Sequence, residues 1–166
     1  MPDTRWLDAG EQHTWRSFLT ANRLLFDRIE RQLQQDAGLP HAYYEILVRL
    51  SEAPNRMLRM SQLATTSLSS RSRLSHAVAR LEENGWVRRL PCPDDRRGAL
   101  AELTEEGMAR LAVAAPGHVD AVRTHLFDPL TPEQVEALRD ISDALVAHLA
   151  DTPVWPAADD DCGDQG

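Results

Sequence analysis

Ser69, Ser70, Arg71, Ser72 and Arg73 stand in one unbroken run, with His76 one helical turn beyond. Hydroxyl and guanidinium groups at this density are chemistry for holding an anion. Serine is small, lets a backbone come close and can donate to a phosphate oxygen. Arginine can neutralise a phosphate or pair bidentately with a guanine edge. A second basic group, Asp95, Arg96 and Arg97, lies inside Pro91-Cys-Pro-Asp-Asp-Arg-Arg-Gly98. Taken singly, each group also fits a plain solvated surface, where Ser and Arg are common.

The overall charge points the other way. The 166 residues carry a formal −8, with 18 basic residues, all of them arginine. The distribution matters more than the total, because a polyanion responds to the local field. Between Arg56 and Arg97 nine arginines face four acids (Glu82, Glu83, Asp94, Asp95), whereas residues 151–166 hold five Asp and no base. A basic segment inside an acidic chain is compatible with a surface that meets nucleic acid.

Other chemistries find little support. GxGxxG, GxSxG, Walker and HExxH sequences are all missing, so neither an enzyme nor a cofactor is expected. His13, His41, His76, His118, His125 and His148 show no metal-ligand spacing, and no metal is expected. Cys92 and Cys162 are far apart and read as free thiols of a reducing compartment. No apolar run is long enough to span a membrane. The first residues, MPDTRWLDAGEQ, lack the apolar core of a signal peptide, so the expected location is the cytoplasm. With 42% hydrophobic and 27% charged residues the chain falls among folded globular proteins rather than disordered ones.

The elements that must position these residues follow from periodicity. Trp15, Phe18, Leu19, Leu25, Phe26, Ile29 and Leu33 form one helical stripe over Glu11–Asp36, ended by Gly38 and Pro40. A second helix is predicted over about 40–53, with Tyr44, Leu47 and Leu50 on one face, and a short third over about 60–66. Ser69 or Ser70 can cap a fourth, which runs to Asn84 with Leu74, Ala77, Val78 and Leu81 inward and Gly85 as its left-handed end. Trp86–Leu90 and Ala99–Leu103 read as a hairpin whose charged tip is 91–98. Thr104 caps a helix to about Phe127, which Pro116-Gly117 should kink or interrupt. Thr131-Pro-Glu-Gln134 is a capping box for a last helix carrying Val135, Leu138, Ile141, Leu145 and Leu149. From Asp151 onward the composition predicts disorder.

Short helix, turn, longer helix, strand, charged tip, strand is the order of a helix-turn-helix with a β-wing. The chain resembles the MarR family in Leu81-Glu-Glu-Asn-Gly-Trp-Val-Arg-Arg-Leu-Pro91, in Asp94-Asp-Arg-Arg-Gly98 and in Leu103-Thr-Glu-Glu-Gly107. Met60-Ser-Gln-Leu-Ala64, Pro116-Gly-His118, Asp128-Pro-Leu-Thr131 and Glu133 extend the likeness to about residues 11–150.

The resemblance implies a mainly α protein. Its winged helix-turn-helix DNA-binding lobe (three helices plus a β-hairpin wing) would span 40–103. Residues 11–38 and 104–150 would form dimerisation helices, with 1–10 as an extension and 151–166 as an acidic tail. It implies a homodimeric transcription regulator, of repressor type, on a pseudo-palindromic operator with half-sites about 10 bp apart. Ser70, Arg71, Ser72, Arg73 and His76 would face the major groove, with Ser69 beside them. Arg97 would enter the minor groove next to Arg96, oriented by Asp95. The family often has arginine where His76 stands; an imidazole neutral at pH 7 attracts phosphate less and reads bases differently. An effector such as a small aromatic or phenolic acid would act between lobe and dimer helices, where Trp15, His41, Tyr44 and His118 are the candidate lining. Two alternatives stay open: a winged helix turned to protein partners, and redox sensing through Cys92.

Overall fold

The computed structural model describes residues 4–66, 70–92 and 95–150. The predicted disorder of 151–166 therefore lies outside the described residues. Helix α1 spans Ala9–Ala37, α2 His41–Glu52, α3 Met60–Thr66, α4 Arg71–Glu83, α5 Glu105–Val122 and α6 Pro132–Leu149. Strands β1 (Met57–Arg59), β2 (Val87–Cys92) and β3 (Asp95–Leu103) form one antiparallel sheet in the order β1-β3-β2.

Helix ends follow local chemistry. Asp8 and Glu11 form a capping box that starts α1. Gly38, at φ +55°, ends it in the left-handed conformation. Gly38 N–H donates to the Gln34 carbonyl and Leu39 N–H to that of Leu33. This is an αL-type ending, in which the Gly38 N–H closes on the carbonyl four residues back, and the Leu39 side chain that follows is fully buried. The Thr131/Gln134 capping box starts α6 as predicted, with Pro132 at its first position.

The core lies where the C-terminal third of α1 meets α2, α3, α4 and the sheet. Leu33, Leu39, Leu47, Leu50, Leu63, Leu74, Val78 and Leu81 are its fully buried side chains. The α4 stripe read from the sequence is this face: Leu74, Val78 and Leu81 are buried and Ala77 nearly so.

The structure corrects three expectations. Strand β1 was not foreseen; it exists because Met57, Leu58 and Arg59 pair with Glu102, Ala101 and Leu100 of β3, a non-local contact. The wing strands reach into the expected tip, with Cys92 opposite Asp95. Pro116 does not interrupt α5, which runs unbroken through it, although proline removes one helical hydrogen bond. The α5 backbone is held against α1 around it: Ala114 and Ala121 are buried, and a Cβ at Gly117 would stand 2.7 Å from Gln32 Nε2. The irregular hydrogen bonding falls later, in a single π turn at Arg123–Phe127.

The stripe on α1 divides in two. Ile29 and Leu33 are buried, whereas Trp15, Phe18, Leu19 and Phe26 are about half exposed. On α6, Ile141, Leu145, Val146 and Leu149 are exposed as well. Between them and the π turn runs an apolar cleft of about 770 Å³, lined by Phe18, Leu25, Phe26, Leu130, Leu138 and Leu145 among others.

Candidate nucleic-acid interface

The start of α4 is set by Ser70, whose extended backbone (φ −64°, ψ 145°) places its Oγ to accept the Arg73 N–H at 3.3 Å. Of the two serines able to cap, Ser70 does so; Ser69 lies outside the described residues. Because Leu74, Val78 and Leu81 are committed to the core, Ser72, Arg73, Ser75 and His76 are turned outward and exposed. Arg71 belongs to the first turn of α4, and its side chain is not among those described.

The end of α4 is fixed to the start of α5. Gly85 takes φ +74° and Trp86 N–H donates to the Leu81 carbonyl at 2.9 Å. Thr104 Oγ1 donates to the Gly85 carbonyl at 2.7 Å and accepts from Gly107 N–H at 3.0 Å. One threonine thus caps α5 and anchors the turn that leaves α4. The sequence reading found the first of these roles only.

In the wing, the register steps from Pro91–Ala99 to Cys92–Asp95, so Arg96, Arg97 and Gly98 have no opposite residue in β2. Such a bulge bends a strand and re-aims what it carries. Asp95, Arg96 and Arg97 therefore sit on β3 beyond the regular ladder rather than in a free loop; their side chains are outside those described. Pro91 is tolerated because β2 is an edge strand.

Electrostatically, the arginines of this segment are not equal. Arg80 pairs with Glu83 (2.7 Å), Arg88 with Glu102 (2.6 Å), Arg89 with Glu82 (3.2 Å) and Arg56 with Glu105 (2.9 Å). Arg73 has no carboxylate partner among the described residues. Its charge is free at a helix N-terminus whose own N–H groups favour anions. Among the described residues, the internal ion pairs thus leave Arg73 at the α4 start without a carboxylate partner.

A second cluster lies where α1, α2 and α5 meet. Tyr44 and His118 rings are 4.4 Å apart, His41 and His118 6.0 Å, and Phe26 meets His41 edge-on at 5.7 Å. Glu30 of α1 accepts the His41 N–H at 2.9 Å and so caps α2 across eleven residues, a contact with no local signal in the sequence. His118 Nδ1 is buried without a hydrogen-bond partner. Burial, and secondly the charge of His41, hold the His118 pKa below its ordinary value, while burial and then Glu52 raise that of Tyr44. Of the four candidate lining residues, His41, Tyr44 and His118 come together. Trp15 does not: it stacks on Phe18, half exposed, eleven residues or about 16 Å along α1 from Phe26.

Cys92 is a free thiol, buried at 5% exposure. Among the described residues no group of three or more His, Cys, Asp or Glu is placed to hold a metal, and no helix is long and apolar enough to cross a membrane.

The MarR family profile matches residues 39–98, from the end of α1 through the wing. The HTH-type transcriptional regulator PecS of Dickeya dadantii is 30% identical over 128 residues, covering 76% of each chain. Among solved structures, Sco3205 of Streptomyces coelicolor, a MarR family transcriptional regulator in complex with DNA, superposes with a TM-score of 0.85. It is 55% identical over 94% of this chain and 97% of its own. AbsC, a MarR family transcriptional regulator from the same organism, gives 0.83 and 46% over 88% of this chain and 98% of its own. A recognition-type helix fixed at both ends, a bulged basic wing and these relationships over nearly the whole chain agree: the protein belongs to the MarR family of transcriptional regulators.

Proposed function

We propose that this chain binds double-stranded DNA sequence-specifically as a homodimer, works in the cytoplasm and represses transcription, with its DNA affinity lowered by an effector. The carrying observation is the outward start of α4, where Ser70, Ser72, Arg73 and His76 are exposed and Arg73 is unpaired among the described residues. It lies on a chain 55% identical to a protein solved with DNA bound. In this reading α4 enters the major groove and Arg96 and Arg97 follow the adjacent minor groove. The apolar cleft between α1, the π turn and α6, continued by the exposed Phe18, Leu19, Ile141, Leu145 and Val146, supports a second copy as its cover. The His41–Tyr44–His118 cluster supports a site for an aromatic or phenolic acid, because it stands between the lobe and α5 and offers an unused ring nitrogen.

The test is fluorescence anisotropy of the full chain on a duplex selected from a random-sequence pool, over a salt series and against scrambled competitor. Competitor-resistant binding with a steep salt slope is expected, because arginines that neutralise phosphates must release counterions. Failure to select any duplex would leave a winged helix directed at protein partners. Sedimentation of the wild type against Leu138→Asp/Leu145→Asp tests the dimer, with a fall to monomer mass expected.

A further inference from the structure

Arg89 stands on β2 and reaches α4 twice. Its backbone N–H donates to Glu82 Oε1 at 2.9 Å, and its Nη2 donates to the carbonyl of Ser75 at 2.7 Å. Its Nε lies 3.2 Å from Glu82 Oε2, an ion-pair distance, although the N–H is not aimed at that oxygen. Neighbouring Arg88 points to the opposite face and bonds Glu102 across the ladder, as strand alternation requires. A carbonyl inside a helix has a second lone pair beyond the one used by the helix. Arg89 takes that of Ser75, in the turn that carries Arg73 and His76 outward.

We infer that Arg89 is a positioning residue: with Glu82 and the Ser75 carbonyl it sets the spacing and rotation of α4 relative to the β2–β3 wing. The inference rests on the DNA-binding reading above. A helix in one groove and a wing in the next can engage one duplex together only if their separation is held to within about 1 Å. The lobe has no continuous backbone between Ser75 and the bulge at Arg96–Gly98 except through the α4–β2 turn. Arg89 ties them side by side. Its planar guanidinium donates to a carbonyl through Nη2 while Nε stays at ion-pair distance from a carboxylate, a two-point geometry that the single ammonium of lysine does not reproduce. Its charge is met by Glu82, so it is not counted among the groups that neutralise phosphate.

The experiment compares wild type, Arg89→Gln, Arg89→Lys, Glu82→Gln and the Arg89→Gln/Glu82→Gln double variant. Each is titrated on the duplex selected by wild type and on a scrambled duplex, over a salt series, with thermal melts alongside. The expected result for each single variant is about a tenfold loss on the selected duplex, the worth of one base contact. Binding to the scrambled duplex and the salt slope should stay near wild type. Lysine should not rescue, and the double variant should lose no more than either single one. A salt slope reduced by about one, with equal losses on both duplexes, would make Arg89 a phosphate contact and overturn the inference. So would unchanged specific binding. If Arg89→Gln fails to fold, Arg89→Lys and Glu82→Gln carry the same comparison. A wild type that selects no duplex overturns the DNA-binding reading itself, and the positioning role with it.

Discussion

The carbonyl oxygen of Trp86 stands 2.1 Å from the point a Cβ on Gly107 would occupy. A side chain there would also meet Leu103 Cδ1 at 2.7 Å, and Thr104 holds the same turn through Gly85. The obstacle is backbone, which cannot swing aside. Gly107→Ala is therefore expected to destabilise the fold by about 3 kcal/mol, the upper range for overpacking. Gly85→Ala meets no atom within 4 Å and bears only the left-handed backbone cost, about 1–2 kcal/mol. Urea denaturation of the two variants gives the order. A larger loss at Gly85 would mean that the α4–β2 turn moves freely past α5.

Arg73 and Arg80 lie on the same helix, yet of the two only Arg80 has a carboxylate partner among the described residues, Glu83 at 2.7 Å. Arg73→Ala is expected to lower DNA affinity and reduce the salt slope by about one. Arg80→Ala should leave the slope near wild type. Arg97→Ala should weaken binding while the mass of the assembly and helicity hold, since its backbone lies in the wing bulge. Equal slopes for the Arg73 and Arg80 variants would refute the view that internal pairing decides which arginines meet phosphate.

Ser70 has two duties that a pair of substitutions can separate. Its Oγ accepts from Arg73 N–H, so its proton is what remains to offer a phosphate oxygen. Ser70→Ala removes both and should cost about 1 kcal/mol of stability together with DNA affinity. Ser70→Asp keeps a cap acceptor, and suits the positive end of the helix, but sets a carboxylate against the duplex. Its melting temperature should match or exceed wild type while its affinity collapses. Tight binding by Ser70→Asp would remove the α4 start from the interface.

The His118 ring binds a proton less readily in the folded protein than in the unfolded chain, first because it is buried and second because His41 is near. Above the ordinary value of 6.5 neither state is protonated there, and this group contributes nothing to the pH dependence. As pH falls below 6.5 the unfolded chain takes up the proton first. Stability is lost until the lower folded pKa is passed, after which the loss is constant. His118→Phe keeps a ring against Tyr44 and should flatten the stability profile below pH 6.5. An identical slope in wild type and variant would show that His118 titrates alike in both states.

What could be read in advance was local. Gly38, Gly85, Thr104 and the Thr131/Gln134 box act through their own backbone or neighbours three residues away, and each ends or starts a helix as its type suggests. The stripe Leu74, Val78, Leu81 announced which face of α4 is buried, and thereby which residues face out. Strand β1 depends on a partner more than forty residues later, and nothing within Met57–Arg59 reveals it. Glu30 on His41 and Arg89 on Ser75 are long-range in the same way. Pro116 misled because a helix-breaking cost was judged without the packing of α5 on α1 that offsets it. Trp15 was expected beside the histidines at the junction of lobe and dimer helices, whereas the length of α1 sets it far from them.

If the protein is the homodimer proposed above, the divided stripe of α1 has a consequence for how it assembles. Its C-terminal third, with Ile29, Leu33 and Ala37, is buried within the same chain and can form as fast as the lobe itself. Its N-terminal two-thirds, with Trp15, Phe18, Leu19 and Leu24 half exposed, gain little from their own chain. Refolding should then divide into a phase whose rate ignores protein concentration and a later one that scales with it. Dilution should fray this single 29-residue helix from its first turn inward while the lobe stays folded.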